Sequence, residues 1–89
     1  MTEIIRREVV RTPDNSCMRV TLEFVTMEFH GRECSFYAVS EDQPTENLPC
    51  IEKERHGDWR PCLWSTGLTV EQAESEYNRL IQSIKTRGF

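Results

Sequence analysis

No apolar run in this 89-residue chain approaches the ~20 residues of a membrane-spanning helix, which excludes that class of element. Its first residues, Met-Thr-Glu-Ile-Ile-Arg-Arg-Glu, lack the apolar stretch of a secretory signal, so a cytoplasmic protein with an unprocessed N-terminus is expected. Basic residues are in the minority: eleven Lys and Arg against fifteen Asp and Glu leave a net charge of −4, which opposes the phosphate attraction behind most nucleic-acid affinity. Nucleic acid is therefore disfavoured as a partner. No catalytic or cofactor motif is present, no Cys-x-x-Cys knuckle, no internal repeat and no low-complexity tract. The chain reads as a single domain, residues 1–89, without a cofactor. A domain of this size buries only somewhat over ~60% of the surface its unfolded chain exposes, enough for one helix on one sheet.

What is present is clearest at the C-terminal end. Thr69 followed three positions later by Gln72 is a capping box, in which each side chain satisfies a backbone N–H that the first helical turn leaves unpaired. Leu68 before the cap and Ala73 inside the helix can close as a hydrophobic staple. Glu71, Glu74 and Glu76 sit in the N-terminal half and Lys85 and Arg87 near the C-terminal end, so the macrodipole is compensated at both ends. Gly88 suits a left-handed stop and Phe89 the apolar contact that follows it. Between these signals Val70, Ala73, Tyr77, Leu80, Ile81 and Ile84 recur at three- and four-residue steps and fall on one face. This helix needs a sheet to lie on.

The rest of the chain supplies one. Ile4, Ile5, Val9 and Val10 mark a first strand over residues 4–10, and Thr12-Pro13-Asp14-Asn15-Ser16 a reversal. Met18, Val20, Leu22 and Phe24 alternate strictly, and Val25, Met27 and Phe29 follow in the opposite phase, so a bulge is expected near Phe24 and Val25. Without one, apolar residues occupy both faces, and a single helix cannot cover them. A reversal centred on Gly31-Arg32 would set Phe29 opposite Cys34, Met27 opposite Phe36 and Val25 opposite Ala38. Ser40 to Pro49 is polar, acidic and proline-bearing and reads as a loop. Cys50 to Arg55 and Trp59 to Trp64 read as a second hairpin around His56-Gly57-Asp58, its charged first arm and Pro61 suiting sheet edges. The expected fold is α+β: an antiparallel meander of four or five strands with the C-terminal helix on one face.

Candidate chemistry is sparse. Cys50, His56 and Cys62 are of the types zinc prefers, but if the cysteines face each other across the hairpin, His56 lies on the order of 20 Å away along an extended strand. One ion cannot hold all three in that geometry; a structural zinc site is the third alternative. His30 with Glu33, or His56 with Asp58, could pair as acid and base, but both histidines fall at hairpin tips open to water, and a non-enzymatic protein is expected. Trp59 and Trp64 lie within six residues of each other beside Arg55 and Arg60. Trp64 next to the helix suits the core, which leaves Trp59 with Arg60 and Arg55 as an exposed anchor of the kind that dominates protein interfaces. The same three residues could stack and hold a single nucleic-acid strand, which makes a nucleic-acid-binding domain the second alternative. Glu41, Asp42 and Glu46 give the expected loop an acidic surface for a basic partner.

The tail pattern Ala73, Tyr77, Ile81, Lys85, Gly88, Phe89 resembles the closing helix of WGR-type domains. The tripeptide that names that family is absent, Trp59-Arg60 being its nearest approach, so the resemblance implies a helix closing a small sheet and no function. The function expected is protein binding, as an inhibitor, adaptor or immunity-type partner, through the sheet face the helix leaves uncovered and the acidic loop. A homodimer through that face is a natural accompaniment.

Overall fold

The structure, a computed structural model, describes residues 1–13, 16–45 and 58–86. Four strands, β1 (Thr2–Arg11), β2 (Cys17–Phe29), β3 (Arg32–Pro44) and β4 (Trp59–Leu68), form one antiparallel meander in the order β1-β2-β3-β4, and helix α1 (Val70–Thr86) packs on one face. This is the expected α+β architecture with four strands. The first arm of the expected second hairpin, Cys50 to Arg55, lies outside the described residues, while its second arm is the start of β4.

Both halves of the capping box form. Gln72 N–H donates to Thr69 Oγ1 at 3.2 Å, and Thr69 N–H donates to Gln72 Oε1 at 3.0 Å. Ala73, Tyr77, Leu80, Ile81 and Ile84 are buried against Val10, Val20, Leu22 and Val39, with Met18, Tyr37 and Leu68 packed at the margin. Val70, in the first turn, departs from the expected stripe and is 40% exposed. Gly88 and Phe89 lie outside the described residues.

The central hairpin turns one residue earlier than expected. His30 and Gly31 form the loop, with φ of 52° and 76°, so both loop residues take the left-handed conformation that lets a two-residue turn match the twist of its strands. Phe29 therefore pairs with Arg32, Met27 with Cys34 and Val25 with Phe36. Because the register differs from expectation by two residues, every side chain keeps its expected face.

The expected bulge at Phe24 and Val25 is absent; β2 and β3 pair without interruption from Arg19↔Asp42 to Phe29↔Arg32. The irregularity lies instead in β1, where Ile5 is the extra residue between the pairs Ile4↔Glu23 and Arg6↔Leu22. Uninterrupted alternation sends Val20, Leu22 and Phe24 to the helix side and Val25, Met27 and Phe29 to the other. The far end of the hairpin lies beyond the helix, and Phe29 there is 61% exposed.

Ser40 to Pro44, expected as the start of an acidic loop, is instead the last part of β3. Ser40, Glu41 and Asp42 are all buried, so the two carboxylates do not form an exposed acidic surface. Their cross-strand partners lie about twenty residues away in sequence. Local composition cannot register partners at that distance.

Candidate binding site on the sheet face opposite the helix

Strand alternation sorts the functional candidates onto two faces. On β3, Tyr37, Val39 and Glu41 face α1, whereas Ala38, Ser40 and Asp42 face away from it. Across the ladder, Thr21 pairs with Ser40, Arg19 with Asp42 and Arg7 with Thr21, so these side chains share the face away from the helix.

That face has a buried polar floor. Thr21 and Asp42 are 2% and 3% exposed, and Thr21 Oγ1 donates to Asp42 Oδ2 at 3.3 Å. Arg19 Nε donates to the same carboxylate oxygen at 2.9 Å, and Arg7 Nε donates to Thr21 Oγ1 at 3.1 Å. A carboxylate this deeply buried is costly unless paired, and here the Arg19 guanidinium and the Thr21 hydroxyl both compensate it. The arginine guanidinium lies 5.0 Å from the ring centroid of Trp59, a cation–π contact that fixes its plane. Arg7, Glu8, Val9, Arg19 and Trp59 line a concavity of about 450 Å³ above this floor. A second concavity, of about 460 Å³, lies between β4 and the first turns of α1 and is lined by Ser65, Leu68, Glu71, Gln72, Ser75 and Glu76, on the side of the sheet where Glu41 is the buried carboxylate.

The two tryptophans reverse their expected roles. Trp64 pairs with Ser40 on the face away from the helix and is 62% exposed, so it is no part of the core. Trp59, expected as the exposed anchor, is half-buried under Arg19. Five residues apart on a regular strand, the two rings would lie on opposite faces. One extra residue, Cys62, between the pairs Glu41↔Leu63 and Asp42↔Pro61 restores them to the same face.

Trp59 and Arg60, expected to act together, are separated by the same alternation. Arg60 pairs with Gln43 on the other face, where, with the Gln43 amide turned oxygen-first, it donates from Nη2 and Nε at 3.0 and 3.2 Å. One face of the Trp59 ring is covered by Arg19. Arg55 and Glu46 lie outside the described residues, as do Cys50 and His56 of the zinc candidate. Cys62 Sγ donates to the backbone carbonyl and to Oε2 of Glu41 at 3.3 and 3.4 Å. Among the described residues, no three His, Cys, Asp or Glu side chains converge as a metal site would require.

The helix side holds one perturbed group. Burial pushes the Tyr77 hydroxyl up to about 12, and the negative charge of Glu8 adds to the effect. Glu8 is near enough to act on this hydroxyl, but among the described residues no partner meets it at hydrogen-bonding distance and angle, while the Arg6 guanidinium stands 5.6 Å from the ring centroid. On the solvent side of α1, a hydrogen bond from Arg79 holds the Glu76 carboxyl below its usual range.

Arg7 and Arg19 carry no motif that marks them in the sequence. The available signal was alternation: both fall in phase with Thr21 on predicted strands, and the correct hairpin register places Asp42 directly opposite Arg19. Comparison of the chain with protein-family models, with curated proteins and with solved structures finds no match. Among the described residues, no helix is long and apolar enough to cross a membrane.

Proposed function

We propose that this protein is a small, non-enzymatic interaction module, of the inhibitor, adaptor or immunity type, that binds a protein partner through the sheet face turned away from α1. The observation that supports this reading is the placement of Trp64. A side chain of that size, 62% exposed, stands on the same face as the braced arginines Arg7 and Arg19. Tryptophan and arginine are the residue types most enriched among those that dominate interface energetics, and they act best where they are held rigid before the partner arrives. The buried Asp42 and Thr21 floor supplies that rigidity. Glu41 and Asp42 are buried and offer no acidic surface to that partner.

The test is capture of partners from the native host on immobilised wild-type protein, Trp64→Ala and Glu74→Gln, compared by quantitative mass spectrometry. Glu74 lies on the solvent side of α1 and controls for general surface effects. A protein retained by the wild type and by Glu74→Gln but lost with Trp64→Ala supports the reading. A partner set that is indifferent to Trp64→Ala, or no specific partner at all, overturns it.

A further inference from the structure

We propose that Arg7 and Arg19 form a recognition site for carboxylates, and that its occupant is an acidic segment of the protein partner. The inference rests on the interaction-module reading and deepens it by stating the chemistry of the contact. Each arginine uses its Nε inward, Arg7 on Thr21 and Arg19 on Asp42, and neither makes a further hydrogen bond from its Nη atoms among the described residues. The end-on edge of each guanidinium, Nη1 with Nη2, is therefore unspent. That edge is a planar fork matched to the two oxygens of a carboxylate.

Both arginines line one concavity, so a ligand there meets two side chains already tied to the sheet through Nε. Thr21 and Asp42 brace them from below and the Trp59 ring braces Arg19 from the side. Ordering a long side chain costs roughly 0.5–1.5 kcal/mol on binding, and bracing removes much of that cost in advance.

The charge balance selects the occupant. Arg19 is already paired with Asp42, so among the described residues of this floor the two arginines share one carboxylate. A phosphate dianion puts two charges on one fork, and a nucleic-acid strand finds one face of the Trp59 ring already covered, whereas carboxylates spaced along a peptide put one charge on each fork. Trp64 on the same face supplies the apolar contact that a peptide carrying the carboxylate would need.

The test is a nuclear magnetic resonance titration of the intact protein at low salt with four probes: a blocked hexaglutamate peptide, its glutamine counterpart, inorganic phosphate and a twelve-nucleotide deoxythymidine strand. The expected result is a saturable shift of the Arg7 and Arg19 Nε–H and Trp59 indole signals with hexaglutamate and none with the glutamine peptide. Arg7→Gln, which leaves the Arg19–Asp42 pair intact, should weaken hexaglutamate binding about tenfold, the loss of one charge-assisted contact. Arg19→Lys keeps the charge and removes the fork, and should weaken it as well. Wild-type affinity in Arg19→Lys, or tighter binding of phosphate or the deoxythymidine strand, overturns the proposal. A partner captured through Trp64 but indifferent to Arg7→Gln also overturns it while leaving the interaction-module reading standing. Hexaglutamate binding at the arginines, with partner capture indifferent to Trp64→Ala, would sink that reading instead and leave the carboxylate site supported.

Discussion

The two faces of the sheet bury different chemistry. Toward α1, Val20, Leu22 and Val39 meet Ala73, Tyr77, Leu80 and Ile84, and the burial is apolar throughout apart from one tyrosine hydroxyl and the Glu41 carboxylate. Away from α1, at the same level of the same strands, Thr21, Ser40 and Asp42 are buried beneath two arginines. Apolar burial contributes about 25 cal/mol per Å², while a buried ion pair returns little beyond its own desolvation cost. The helix side therefore carries the stability of the fold. The opposite side holds a fixed polar constellation that stability alone does not call for, which is why the candidate site is placed there.

The largest expected effect lies on the helix side. Ile84 is fully buried, so Ile84→Ala removes its apolar contacts and leaves a cavity between α1 and the sheet. Urea unfolding should show a loss of about 2–5 kcal/mol. A loss below about 1 kcal/mol would mean that the helix is not the main support of the sheet, and the contrast between the faces would fail.

Asp42→Ala probes the other side. It leaves Thr21 without its acceptor and Arg19 without its counter-ion, although Arg19, with its side chain 20% exposed, can recover some hydration. The expected loss is about 1–3 kcal/mol. The sharper measurement is the double variant Arg19→Met with Asp42→Leu, which replaces the pair with apolar groups and should recover most of that loss. A double variant as unstable as Asp42→Ala would show that the polar floor is needed for folding.

Tyr77 gives a pH signature confined to the helix side. Its hydroxyl is held near 12 in the folded protein against an ordinary value near 10 in the unfolded chain. The folded state therefore keeps the proton more tightly, and this contribution to stability is complete below pH ~10 and lost as pH rises toward ~12. Tyr77→Phe should flatten that alkaline decline in chemical denaturation, and its stability at neutral pH should stay near the wild type because among the described residues no partner meets the hydroxyl at hydrogen-bonding distance and angle. An unchanged alkaline slope would place the titrating group elsewhere.

The helix side was the legible one. Capping, staple and stripe are local signals, and Thr69, Gln72 and Ala73 through Ile84 stand where those signals place them. Parity on β2 and β3 was legible as well, because the expected register was off by two residues and a two-residue slip preserves faces. That slip nevertheless hid the site. Turning at Gly31-Arg32 would set Arg19 opposite Pro44 and Asp42 opposite Thr21, whereas the turn at His30-Gly31 brings Arg19 and Asp42 together. The loop read into Ser40–Pro44 followed from polar composition, and what makes those residues a strand is pairing with β2 and β4. Trp64 was misplaced for a similar reason: its nearness to the helix is sequential, while the extra residue at Cys62 decides its face.

Truncation of Trp64 is also expected to change stability little. Tryptophan is the largest type of side chain in the sequence, yet most of the Trp64 surface is in water, so truncation creates no cavity and leaves no buried polar group unpaired. Trp64→Ala should shift the urea midpoint by no more than about 1 kcal/mol, well short of the loss for Ile84→Ala, where a smaller side chain is removed. The same variant is expected to abolish partner capture. Stability and binding would then segregate by face, with the smaller residue dominating the first and the larger one the second. If Trp64→Ala instead destabilises the fold as much as Ile84→Ala, the ring contributes to the core after all, and its exposure no longer argues for a partner.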